Sequence, residues 1–410
     1  MFPDEANPSM HHLPHKPLPA SAPVRLQRIN IDNFKSLVGF EMDLAKFTCL
    51  VGLNGAGKST ILQALDFLSQ QVKGDLSGWL KNREWAAIDL KSKLSKSSNI
   101  SFEVVFDLSG RHALWRGSFN RSLLRCTQET LEIAGSTLLK VDDGRYLVSE
   151  LVDEGESRFL AQGEITFEYQ GSLLSQLKES VLNEDLRVFK HFVAGITSLD
   201  ALSPQHLRRR SRESDGSLGF AGEKLSAFLH QLPELAQQSL FELLQGRYPQ
   251  LRGLELSALR AGWKALGIEE EYAGFRFTTE ARHINDGMLR LMAILAETLS
   301  AHEFMLFDEI ENGINPELIE FLLDYLMDAQ QQIMVTTHSP MILNYLDDDV
   351  ARRGVQLIYK TPEGKTQAIP FFSIPSVAEK LTVLGPGEVF VDTDLLRLPE
   401  EIARLAGGRG

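Results

Sequence analysis

Cysteine is nearly missing from this sequence. Its 410 residues hold two, Cys49 and Cys126, with no CxxC and no Cys/His cluster, which excludes a disulfide scaffold and argues against structural zinc. Long uninterrupted apolar runs are missing too. The longest stretch, Leu289 to Phe307, is broken by Arg290, Glu297, His302 and Glu303, short of the roughly 20 apolar residues a bilayer demands. Heptads sustained beyond a few turns are absent, as are internal repeats. So is an excess of positive charge: 42 Lys plus Arg against 55 Asp plus Glu leave −13, so any nucleic-acid contact needs a local basic patch. The first 24 residues lack the continuous apolar segment of a signal peptide and are rich in proline. They read as a disordered leader, its His11, His12 and His15 solvent-exposed, on a chain expected to be cytoplasmic.

What is present, at 43% hydrophobic and 24% charged, is a globular composition with room for two or three domains of roughly 100–200 residues each. Arg25 to Ile31 alternates as a strand, Phe47 to Val51 is a short buried strand ending in a Gly-rich loop, and Ile61 to Leu68 turns helical. Residues 100–171 alternate between turn signals and predict an antiparallel β subdomain. Leu173 to about Gln245 carries apolar residues at helical spacing, and a mostly helical insertion over 172–275 is expected. Helix and strand then alternate: Met288–Ser300 helical, Phe304–Phe307 a strand, Glu317–Ala329 helical, Ile333–Thr336 a strand. That order suits an α/β fold with a mostly parallel sheet. The organisation expected is a leader (1–24), the N-terminal part of the α/β head (25–171), the insertion (172–275), the C-terminal part of the head (276–360) and an extension (361–410).

Gly52-Leu53-Asn54-Gly55-Ala56-Gly57-Lys58-Ser59 fits G-x-x-x-x-G-K-[ST], in the strand–loop–helix context that motif needs. Glycines let successive backbone N–H groups turn inward onto phosphate oxygens at a helix N-terminus. Asn54, Gly55, Gly57, Lys58, Ser59 and Thr60 are therefore the candidate ATP contacts. Lys58 would meet the β and γ phosphates, Ser59 would supply a hydroxyl to Mg²⁺, and Thr60 would lie near the α phosphate. Far downstream, Phe304–Phe307 delivers Asp308 and Glu309 at a strand's C-terminal end, where ligands of parallel sheets gather. Asp308 suits Mg²⁺ and Glu309 suits the proton of the attacking water, although an adjacent Asp-Glu pair is commonly a plain helix cap. His338, after the next strand, could contact a γ phosphate. Asn285-Asp286-Gly287 opens the following helix and by itself is an ordinary cap.

Together, Gly52 to Thr60, Asn285 to Gly287, Phe307 to Pro316 and Thr337 to Pro340 resemble the ABC-type ATPases of the RecF and chromosome-maintenance group. More closely, they resemble compact bacterial AAA-type ATPases related to the overcoming-lysogenisation-defect (OLD) proteins. Ile31 to Ser36 and Gly222 to Leu225 fit the same group. The resemblance implies an ABC-type ATPase head and a head-to-head homodimer, or a higher assembly, with ATP and Mg²⁺ at the interface. Each nucleotide would lie between one subunit's loop and the other's Asn285 and Gly287, with Asn315 coupling the two sites. Lys58, Glu309 and His338 would be catalytic, Ser59 and Asp308 would hold the metal, and the glutamine that senses it would be sought among Gln128, Gln162 and Gln170. Asn285 stands where the family often has Ser, and Asp-Gly where transporters have Gly-Gly, which speaks against a transporter motor. The implied role is the sensor or regulatory subunit of an anti-phage system with a separately encoded effector such as a nuclease. A RecF-like repair ATPase acting on DNA is the alternative. The one dense basic cluster, Arg208, Arg209, Arg210 and Arg212, is expected on an exposed loop, as a solvated charge run or a contact to DNA phosphates. Asp392-Thr393-Asp394 reads as a turn or cap.

Overall fold

The computed structural model describes residues 24–142, 144–153, 156–199 and 202–407. All but one residue of the expected leader lies outside them, and Val24 already begins a strand. The chain opens with β1 (Val24–Asp32), β2 (Phe40–Asp43), β3 (Phe47–Val51), α1 (Lys58–Lys73) and α2 (Leu76–Asn82). Six strands follow: β4 (Ile100–Leu108), β5 (Arg111–Asn120), β6 (Arg125–Ile133), β7 (Ser136–Asp142), β8 (Arg145–Asp153) and β9 (Glu156–Glu164). Next come α3 (Glu184–Ala194), β10 (Ile196–Leu199), α4 (Pro204–Leu207), α5 (Leu225–Gln231), α6 (Glu234–Gln245), β11 (Leu251–Ala258), β12 (Lys264–Tyr272) and β13 (Phe275–Glu280). The last third holds α7 (Asp286–Thr298), β14 (Phe304–Phe307), α8 (Pro316–Asp328), β15 (Gln332–Thr336), α9 (Pro340–Asn344), α10 (Asp348–Gly354), β16 (Val355–Lys360) and β17 (Thr366–Pro370). Short helices α11 (Pro375–Lys380), α12 (Pro386–Val391) and α13 (Leu398–Gly407) follow.

The α/β class holds. A six-stranded sheet in the order β10-β14-β15-β3-β16-β17 is parallel except for its last strand. Its inner strands are continuous apolar runs because both faces are covered. Their alternating side chains feed two separate cores. Cys49, Val51, Met305, Phe307, Ile333 and Val335 enter one, and Leu50, Phe304, Leu306 and Met334 enter the other. That second core continues into an eight-stranded antiparallel sheet, β2-β1-β4-β5-β6-β7-β8-β9, against which α1 packs Ile61, Leu65 and Phe67. Gln332 stitches the two sheets: its buried amide accepts from the Leu26 N–H at 2.9 Å and donates to the Leu26 and Ala45 carbonyls at 2.8 and 3.0 Å.

The insertion is mostly helical up to Gln245, in α3 to α6, as expected, but departs from the helical expectation at two places. It contributes β10 to the central sheet, and residues 251–280 form a three-stranded antiparallel sheet, β11-β12-β13. The expected end of the head at residue 360 also cuts through the fold, because β17 pairs with β16 in the central sheet. Asp392 caps α12, and Asp394 accepts from the Leu396 N–H at 3.0 Å, as expected of a turn.

Candidate nucleotide-binding site

Three adjacent strands, β14, β15 and β3, end at one edge of the central sheet, and each releases a loop there. The loop after β3 turns through positive φ at Gly52 (141°), Gly55 (75°) and Gly57 (113°). Two of these glycines are also sterically required. A Cβ on Gly52 would lie 2.2 Å from the Ile358 carbonyl oxygen, and one on Gly57 would lie 2.3 Å from Thr366 Oγ1. Gly57 caps α1 without any side-chain hydrogen bond, so the first-turn amides of this 16-residue helix remain available to an anion.

Lys58 is buried, 5% exposed, and its Nζ donates back to the Gly52 carbonyl at 2.8 Å and the Leu53 carbonyl at 3.3 Å. It also lies 3.4 Å from His338 Nδ1, and His338 Nε2 lies 3.7 Å from Glu309 Oε1. Burial pushes the Lys58 ammonium below its ordinary pKa, against the pull of Asp308, Glu309 and Glu311. The cleft these groups face, about 390 Å³ of water-accessible space, is lined by Ser36, Asn54, Gly55, Gly57, Lys58, Ser59, Thr60, Glu309 and His338. The amide-rich loop, the lysine and the neighbouring carboxylates fit a triphosphate with a divalent cation. Ser59 and Asp308 are the groups that would hold the metal.

Residues outside the sequence expectation position this edge. Thr336 Oγ1 donates to Asp308 Oδ1 and accepts from the Glu309 N–H at 2.8 Å, holding Glu309 at a left-handed φ of 47°. Glu311 accepts from Thr337 Oγ1 and from the His338 N–H, both at 2.9 Å. Arg290, on α7, donates to the Asp308 and Glu309 carbonyls at 3.2 and 3.1 Å. Glu311 falls inside the Asp308–Pro316 stretch and could have been singled out there. Thr336 opens the stretch that holds His338, and Arg290 closes the one that starts at Ile284, but no spacing pattern assigns either of them a role.

Asn285 and Gly287 lie elsewhere. They do not line this cleft. The Asn285 side chain caps α7 by accepting from the Met288 N–H at 2.8 Å, and a Cβ on Gly287 would lie 3.1 Å from the Gly313 carbonyl and 3.5 Å from Asn315 Oδ1. The basic cluster is an exposed loop, as expected, but it is tethered. Half-buried Arg208 donates to the Ile284 carbonyl at 2.7 Å and pairs with Asp286, while the Ser211 backbone bridges to Lys264 and Arg212 sits 4.8 Å over the Trp263 ring. Arg209, Arg210 and Arg212 are exposed. Gln128 on β6, Gln162 on β9 and Gln170, bonded to Ser77, are on or beside the antiparallel sheet and not at the ligand edge. Leu199 pairs with Phe307, so β10 ends at this same edge, and the glutamine that follows it in sequence is Gln205, inside α4.

A family model described as "AAA domain, putative AbiEii toxin, Type IV TA system" matches residues 47–344, from the start of β3 to the end of α9. The chain belongs to this AAA family. Structural maintenance of chromosomes protein 1 of Schizosaccharomyces pombe is 26% identical over 201 residues, 48% of this chain and 14% of that protein. The OLD nuclease of Thermus scotoductus is 33% identical over 102 residues, 25% of this chain and 17% of that protein. The chain thus spans less than a fifth of the curated relatives it matches. Among solved structures, the SMC head domain from Thermotoga maritima aligns with a TM-score of 0.45 at 15% identity, over 84% of this chain and 98% of that one. The family match and the sequence matches agree in pointing to the AAA-type core, which this chain shares in part with an SMC protein and an OLD nuclease. No helix among the described residues is long and apolar enough to cross a membrane.

Proposed function

We propose that this chain is a Mg²⁺-dependent ATPase that dimerises around ATP and serves as the sensor or regulatory subunit of an anti-phage defence system. The observation that carries the ATPase part is the convergence of Lys58, His338 and Glu309 on one cleft at the end of three parallel strands. In this reading Lys58 and the loop amides bind the β and γ phosphates. Glu309 takes the proton of a water that attacks the γ phosphorus as the bond to ADP breaks, and His338 donates to the γ phosphate. The cation, held by Ser59 and Asp308, would neutralise phosphate charge. Asn285 and Gly287, on a separate face, would complete the site of a second copy.

The defence role rests on the family description and the OLD relative, and the effector, such as a nuclease, is assigned to a separate protein encoded nearby. Co-purification with the products of neighbouring genes tests it. The expected result is a complex whose effector activity changes with ATP; no complex and no ATP-dependent change would remove the regulatory role. A RecF-like ATPase acting on DNA is the second reading, favoured by exposed Arg209 and Arg210 beside the Arg212–Trp263 stack. Salt-sensitive, ATP-dependent binding to duplex or gapped DNA without a protein effector would select it.

A further inference from the structure

The hairpin β16–β17 touches the phosphate-binding loop at both ends, and polar groups make the contact at the helix end. Thr366 is fully buried. Its Oγ1 donates to the Ala56 carbonyl at 2.9 Å, accepts from Lys360 Nζ at 2.9 Å and lies 2.8 Å from Ser36 Oγ. A hydroxyl has one proton, and here it goes to Ala56, so Ser36 must be the donor in the last pair. All the bonding capacity of this oxygen is then used. The Thr366 N–H also donates to the Ser36 carbonyl at 2.9 Å, which locks the segment before β2 to the hairpin. The Thr366 methyl and hydroxyl occupy the space a Cβ on Gly57 would need.

Lys360 is half-buried, and among the described residues no carboxylate pairs with it. Its one hydrogen bond is the one to Thr366, and burial pushes its ammonium below the ordinary lysine range. A cation held this way, one hydroxyl behind the loop, has two N–H donors to spare. An anion seated on the loop would supply the missing negative charge.

We propose that Thr366 is a positioning residue of the phosphate-binding loop and that Lys360, held against it, is a second cation of the nucleotide site acting from behind the loop. Thr366 fixes the Ala56 carbonyl, and so aims the neighbouring amides into the cleft. Ser36, which lines that cleft, is oriented by the same oxygen. The inference rests on the nucleotide reading above and extends it to residues far from every motif.

The test uses the full chain as wild type, T366V, T366S and K360M, with a fluorescent ATP analogue titrated against each. Hydrogen exchange of the segment 52–60 is measured in the nucleotide-free proteins. Loss of a fully used buried hydroxyl should weaken ATP binding about tenfold in T366V, while T366S stays within about twofold of wild type and kcat changes less than KM. K360M should weaken ATP more than AMP, because the charge acts on the phosphates. Exchange in 52–60 should rise in T366V alone. T366V binding ATP as tightly as wild type, or K360M weakening ATP and AMP equally, overturns the proposal. If T366V does not fold, K360M decides. If wild type binds no ATP, the nucleotide reading fails, and unchanged exchange in T366V would overturn the loop-positioning claim independently.

Discussion

Helices α1 and α7 both begin at groups the sequence marks for nucleotide, yet their first turns are built in opposite ways. The start of α1 has a left-handed glycine as its cap, no side chain on its amides, and a cleft in front of it. The start of α7 is satisfied from within: Asn285 caps it, Arg208 pairs with Asp286, and Arg290 latches the helix to the Asp308 and Glu309 carbonyls. An uncapped helix end leaves its amides open to an anion. A self-capped one can be presented as a rigid edge. The chain therefore carries one helix start open to an anion and, outside that cleft, a finished turn. In the proposed function a second copy brings the two together.

Breaking the receptor should have the largest effect. Lys58→Met should reduce hydrolysis by about 10³-fold, because in the proposed function it removes the positive charge meant for the β and γ phosphates, as steady-state phosphate release would show. Burial holds the Lys58 ammonium below its ordinary pKa, so between the two values the unfolded chain binds more protons than the folded one, and native stability rises with pH there. The melting temperature of the nucleotide-free protein should therefore rise with pH in that window more steeply in wild type than in Lys58→Met, and equal slopes would contradict it.

Glu309→Gln should slow hydrolysis by about 10²-fold or more while ATP binding persists, in rapid-quench and filter-binding measurements. Unchanged hydrolysis would reject Glu309 as the base. Gly287→Val sharpens the contrast between the helices. It should abolish most turnover but leave ATP affinity of the isolated subunit within about threefold, since the turn lies outside the cleft. Arg208→Ala should have the smallest effect, a two- to fivefold loss of turnover with little change in stability. Its partner Asp286 is 59% exposed, and such pairs contribute about 0–1 kcal/mol.

The receptor half was readable because it is local. Phe47–Val51, Phe304–Phe307 and Gln332–Thr336 are buried on both faces and so announce themselves as apolar runs, with chemistry at their C-terminal ends. The insertion was not. Ile196–Leu199 is four residues long and earns its place in the sheet only through its parallel partner β14, more than 100 residues away. Strand β13 is exposed along nearly its whole length, which leaves no alternation for a reader of pattern to find. The arginine cluster shows charge in the sequence but not the Ile284 carbonyl and Asp286 that hold Arg208. Thr366 and Ser36 lie 330 residues apart and match no spacing rule.

Sedimentation velocity of the Glu309→Gln protein, with and without Mg-ATP and beside the same variant carrying Gly287→Val, tests the central claim most directly. The account predicts a monomer without nucleotide, a dimer with it, and no dimer when Gly287 is also replaced. A species that stays monomeric with saturating Mg-ATP, or a dimer indifferent to both nucleotide and Gly287, would contradict it.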